Sequence, residues 1–194
     1  MGEKLQLHLE KEQYTELAAR YHFADTDLEL LMRIGALAEQ AAQPVMYFGR
    51  IEQEARMKPG KRLAVIVSLG GGIDALQDSY MQQERLTESY MIECITMELL
   101  RTAYEKAAKR IHEITGMWLS SPEFVGDRTP LSDIKEIWQL LRPVEISYNQ
   151  AYMMNPKKTV VYYVNQCADR QEHYCSICAD CGNLSCAGRD TSAS

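Results

Sequence analysis

The chain has 194 residues and a formal net charge of −6, with 46% hydrophobic and 25% charged residues. This is the composition of a globular protein with enough apolar material for one core. An acidic chain without a basic stripe argues against nucleic-acid binding, and no run reaches the roughly 18 apolar residues that cross a membrane. The charged start MGEKLQLHLEKEQYTELAAR is not a secretory signal, so the expected location is cytoplasmic.

The first 45 residues predict two helices. Glu12 to Ala19 is short and amphipathic. Thr26-Asp27-Leu28-Glu29 has the form of a capping box, and Leu30, Ile34, Leu37 and Ala41 follow at helical spacing. Gln43-Pro44 closes that helix. After a loop around Met57-Lys58-Pro59-Gly60, Arg62 to Ser68 is a continuous β-branched run and predicts a buried strand. Gly70-Gly71-Gly72 breaks it, and a helix starts at Ile73.

Leu86 to Ile114 is the longest periodic segment. Ile92, Ile95, Leu99, Ala103, Ala107, Ile111 and Ile114 form one stripe, opposite Glu98, Arg101, Glu105, Lys109 and Arg110. This predicts a central core helix that ends at Gly116. Met117-Trp118-Leu119 and a loop of Ser, Pro and Gly follow, then a helix over Leu131 to Leu141 and strands at Val144 to Tyr148 and Thr159 to Val164. The order is α+β, with strands too scattered for a doubly wound sheet. The expected organisation is a single domain over residues 1–189, helical in its first 60 residues, with a disordered tail at 190–194.

Three motifs invite a functional reading. Gly70-Gly71-Gly72-Ile73-Asp74-Ala75 fits a dinucleotide fingerprint, but the acidic partner expected about 20 residues on would fall near Glu93, inside the long helix. A tight strand-to-helix turn is the simpler account. The four histidines, His8, His22, His112 and His173, are isolated, and His112 belongs to the charged side of the long helix. Met153-Met154 beside Pro156 could line a pocket for a flat apolar ligand or fill a gap in the core.

The cysteines form the third motif. Cys94 and Cys167 stand apart, whereas Cys175, Cys178, Cys181 and Cys186 make a C-x2-C-x2-C-x4-C run. Closely spaced thiolates can surround a borderline or soft metal. The spacing is one residue longer than the bacterial [4Fe–4S] run and ends in Ala187 instead of proline. It also departs from the two separated pairs of a structural zinc site. An iron–sulfur cluster, zinc or another ion, and free or redox-paired thiols all remain open.

From about Arg62 to Arg189 the chain resembles the stand-alone relatives of the reactivation (activation) domain of vitamin B12-dependent methionine synthase. The resemblance rests on Leu63 to Gly70, the long helix, Ser121-Pro122, the Pro130-Leu131 helix start, Ala151 to Thr159, and Cys178-x2-Cys181-x4-Cys186-x2-Arg189. It implies a long central helix packed on a mostly antiparallel sheet. It also implies a role in maintaining cobalamin: docking in trans on a corrinoid-carrying protein or methyltransferase and assisting its reductive reactivation, with S-adenosylmethionine as methyl donor. The family's R-x-x-P-G-Y loop aligns with Leu119 to Phe124, which puts Ser121, Pro122, Glu123, Phe124 and Met154 forward as cofactor-binding residues. Leu119 lacks the arginine that pairs with the donor's carboxylate, and Glu123 replaces the glycine, so S-adenosylmethionine is the least secure part of the inheritance. The cysteine run would then place a metal or redox centre close to the corrin.

Overall fold

The computed structural model describes residues 2–51, 62–127 and 129–169. In chain order the elements are β1 (Glu3–Lys4), α1 (Lys11–Arg20), a 3-10 turn (Asp25–Asp27), α2 (Leu28–Ala41), β2 (Val45–Arg50), β3 (Arg62–Ser68), α3 (Gly71–Gln82) and α4 (Leu86–Thr115). They continue with β4 (Trp118–Leu119), β5 (Glu123–Phe124), a second 3-10 turn (Leu131–Asp133), α5 (Ile134–Leu141), β6 (Ser147–Tyr148), β7 (Met154–Asn155) and β8 (Thr159–Cys167).

The sheet runs β1-β2-β3-β8, with β4 and β5 sharing the far edge of β8, and every one of these pairings is antiparallel. Because side chains alternate along a strand, the two faces build two cores. Leu63, Val65, Val67, Tyr162 and Val164 face one way and join the larger core with α1 to α4. Ala64, Ile66, Val161 and Tyr163 face the other way, against Ile137 of α5 and Ile146. The sheet is therefore a middle layer, with the long helix on one side and α5 with the β6–β7 hairpin on the other.

α4 is the helix its periodicity predicts. Ile92, Ile95, Leu99, Ala103, Ala107 and Ile111 are fully buried, and Gly116 closes it in the left-handed conformation at φ 69°. Two positions exchange roles. Ile114 is 47% exposed, and Glu98 is buried under α1. On α2 the buried stripe is Leu31, Ile34, Gly35 and Ala38, one residue round from the expected one, leaving Leu37 exposed. The shift lets Gly35 lie directly against the Tyr14 ring of α1.

The capping box also moves. The Asp27 carboxylate accepts from the Ala24 N–H, so Asp27 closes the 3-10 turn that leads into α2 and Thr26 makes no cap. The first 60 residues are not helical throughout, since Val45 to Arg50 form β2 on the edge of β3. The predicted strand at Val144 to Tyr148 shrinks to Ser147–Tyr148, because Glu145 adopts a left-handed backbone at φ 64°.

Candidate functional site

β8 organises the end of the sheet where the family's loop falls. Its outer edge pairs first with β4, Leu119 opposite Gln166, and then with β5, Glu123 opposite Tyr163. Four residue steps on the outer strand match three on β8, so Ser121-Pro122 form a one-residue bulge. Pro122 has no N–H for the ladder, so a break in pairing is the geometry its ring favours. Ser120 pins the bulge: its N–H donates to the Asn165 carbonyl at 2.8 Å and its Oγ accepts from the Asn165 N–H at 2.9 Å. The segment expected as a loop is thus a bulged edge strand.

The two residues after the bulge point to opposite faces. Phe124 turns toward α4, with ring centroids 5.9 Å from Tyr104 and 5.7 Å from Tyr162. Glu123 turns toward the α5 layer, where its carboxylate accepts from Arg62 Nη2 at 2.7 Å. The Arg62 guanidinium lies 4.2 Å above the Tyr163 ring, so β3, β8 and β5 are linked side by side. The Tyr163 hydroxyl donates to Asp133 at 3.4 Å. Burial, with the Asp133 charge beside it, pushes the Tyr163 phenol up to about 12. Leu119, at the position of the family's arginine, is 3% exposed and belongs to the core.

Met154 does not join this group. It sits on β7 and packs into the core on the α5 side, away from Phe124. Its neighbour Met153 is 65% exposed. Cys175, Cys178, Cys181 and Cys186, like His173 and the tail at 190–194, lie outside the described residues. Among the described residues no group of three or more His, Cys, Asp or Glu side chains could hold a metal. Cys94 is buried in α4, and burial lifts its thiol to about 11, so it is not a thiolate at neutral pH. His112, expected on the solvated side, instead stacks on Trp118 with centroids 3.7 Å apart.

A second concavity lies at the opposite end of β3. It is a pocket of about 700 Å³ between the start of β2, the Gly70-Gly71 turn and the loop after α5. Gly70 has φ 80°, a conformation that favours glycine, and its amide donates to the Ser68 hydroxyl at 3.2 Å. Ser68 in turn shares a buried 2.8 Å hydrogen bond with Thr159. The glycine turn is therefore satisfied by its own strand, in keeping with a structural turn.

The solved structure of the MetH reactivation domain bound to AdoHcy is similar to this chain with a TM-score of 0.50. The match covers 91% of this chain and 81% of that one, at 13% sequence identity. The chain has the reactivation-domain fold. That likeness is one of fold. No protein-family model matches the sequence, and no curated protein matches it. Within the reactivation-domain fold, the long helix on an antiparallel sheet is present as the resemblance implied, and no helix among the described residues is long and apolar enough to cross a membrane. Sequence reading placed Ser121 to Phe124 together but missed Arg62, Tyr163 and Asp133. The strand carrying Arg62 was visible, but not the register that brings it beside Glu123.

Proposed function

We propose that this chain is an accessory protein of a cobalamin-dependent methyltransferase, acting in trans on a corrinoid-carrying partner during reductive reactivation. The observation that supports this most is the fold likeness to the MetH reactivation domain over 91% of the chain. In this reading the bulged edge at Ser121 to Phe124 is the surface that meets the partner. The chain orients the corrin-bearing protein and keeps water from it, while the cofactor supplies the chemistry.

S-adenosylmethionine does not fit this segment in the family's manner. Leu119 is buried, the Glu123 carboxylate is held by Arg62, and Phe124 is packed between Tyr104 and Tyr162. The test mixes the purified chain with a corrinoid protein trapped as Co(II) and a reductant, and follows the cobalamin spectrum. Chain-dependent recovery of Co(I), together with a stable complex, is the expected result; neither complex nor recovery overturns the reading. Calorimetry with S-adenosylmethionine alone is expected to show no binding.

The spacing of Cys175, Cys178, Cys181 and Cys186 favours a second reading, a small metal-binding electron carrier on the same fold. Iron, sulfide and zinc analysis of anaerobically purified protein decides it. Absence of all three sinks the metal centre. A reversible redox couple that works without any corrinoid would favour the carrier.

A further inference from the structure

The pocket at the Gly70 end of the sheet is separate from the partner-facing edge. Arg62 and Ser68 mark the two ends of β3, six residues or about 20 Å apart at the rise of a strand. A volume of about 700 Å³ is that of a site for a small organic molecule. Two charged residues of opposite sign line it, Lys4 on β1 and Glu145 in the loop after α5. Among the described residues neither enters an ion pair.

The wall that carries Glu145 is fixed. The Tyr47 hydroxyl donates to the Val144 carbonyl and accepts from the Val144 N–H, both at 3.1 Å. Glu145 itself is held in the left-handed region at φ 64°, where an L-residue is strained. Backbone strain of this kind persists where the surroundings over-determine it and is concentrated at ligand sites. Gly71 presents bare main chain to the same pocket, since a Cβ there would meet nothing nearer than Pro156 Cγ at 3.9 Å. Leu5 and Ile146 add apolar wall.

We propose that this pocket binds a small zwitterion of the amino-acid class. Its carboxylate lies toward Lys4 and the Gly71 main chain, its ammonium toward Glu145, and its side chain against Leu5 and Ile146. A ligand carrying both charges on one small molecule can pair with both groups of the cavity at once, which a purely anionic or purely cationic ligand cannot.

Titration calorimetry of the full chain tests this with methionine, phenylalanine and glutamine as probes, beside butylamine and butyrate, which carry one charge each. At least one zwitterion is expected to bind, and the single-charge probes are not. Lys4→Gln and Glu145→Asn should each weaken binding about tenfold or more, the loss expected for a charged hydrogen-bond partner. Asparagine tolerates the left-handed backbone, so Glu145→Asn removes the charge without displacing the loop. Lys4 is exposed, so its variant should melt with the parent chain. The proposal is overturned if no zwitterion binds, if butylamine or butyrate binds as well as the zwitterions, or if both variants bind like the parent. The assay contains no corrinoid, so its failure and the failure of partner docking are separate results.

Discussion

Glu98 is a carboxylate inside the helical layer, and its partners explain why it is tolerated there. Arg101 donates to Oε1 at 2.6 Å, Gln13 donates to the same oxygen at 3.4 Å, and Arg20 donates to Oε2 at 3.4 Å. The carboxylate thereby ties α1 to α4. Removing it takes the carboxylate from Arg20, which is 22% exposed, while Arg101 keeps its 2.6 Å pair with Glu105. Glu98→Ala should therefore cost about 2 kcal/mol in urea denaturation, the range for losing charged hydrogen bonds. Glu98→Gln should recover part of that loss.

His8 makes a weaker contact of the same kind. Its Nδ1 is 2.9 Å from Glu39, whose other oxygen accepts from the Leu9 N–H and the Tyr14 hydroxyl. The hydrogen bond to Glu39, aided by its charge, raises the His8 pKa above 6.5. A raised imidazole pKa stabilises the fold below the unfolded value and loses that stabilisation as pH climbs through the folded one. The window begins at 6.5 and extends upward. The ring is 68% exposed, so the gain is screened and small. NMR titration should place His8 above 6.5 in the parent chain and return it to about 6.5 in Glu39→Gln.

At the level of elements, the Gly70 turn leaves no room for a side chain. Its φ of 80° and ψ of 166° lie in a region almost reserved for glycine, and a Cβ there would stand 2.7 Å from the Gln43 Cβ. Gly70→Ala should cost about 1–3 kcal/mol and shift the start of α3, measurable by urea denaturation and amide exchange.

This turn was also among the clearest features of the sequence, as were β3, α4 and the Gly116 cap. Each is declared by residues adjacent in the chain: a β-branched run, a periodic stripe, a glycine. β2 was not visible, because Val45-Met46-Tyr47-Phe48 is short, follows a proline and gives way to Gly49 and Arg50, and only pairing with β3 makes it a strand. Glu98 follows the same logic, since the periodicity of α4 does not reveal where α1 covers it. At the bulge, Pro122 was readable but the register against β8 was not. The zwitterion pocket draws on Lys4, Tyr47, Gly71 and Glu145, which only the folded chain brings together.

For the molecule as a whole, the sheet separates two cores that should respond independently. Leu99 is fully buried against the helical side, and Ile137 is 2% exposed against the other. Truncating either to alanine should cost about 3 kcal/mol. Because the sheet stands between them and they share no cluster, the double variant should lose the sum within about 0.5 kcal/mol. Urea denaturation of the two single variants and the double variant measures this, and a larger deviation would mean that the sheet transmits strain from one face to the other.

The chain's two tryptophans happen to be divided between the same regions. Trp118 rests on the His112 ring where the long helix hands over to β4, and Trp138 of α5 meets Tyr148 of β6 edge-on at 5.0 Å. Each indole is thus a native optical reporter for one side of the sheet. With the other replaced by phenylalanine, its emission would time the loosening of that side alone, and a partner arriving at the bulge would perturb Trp118 before Trp138.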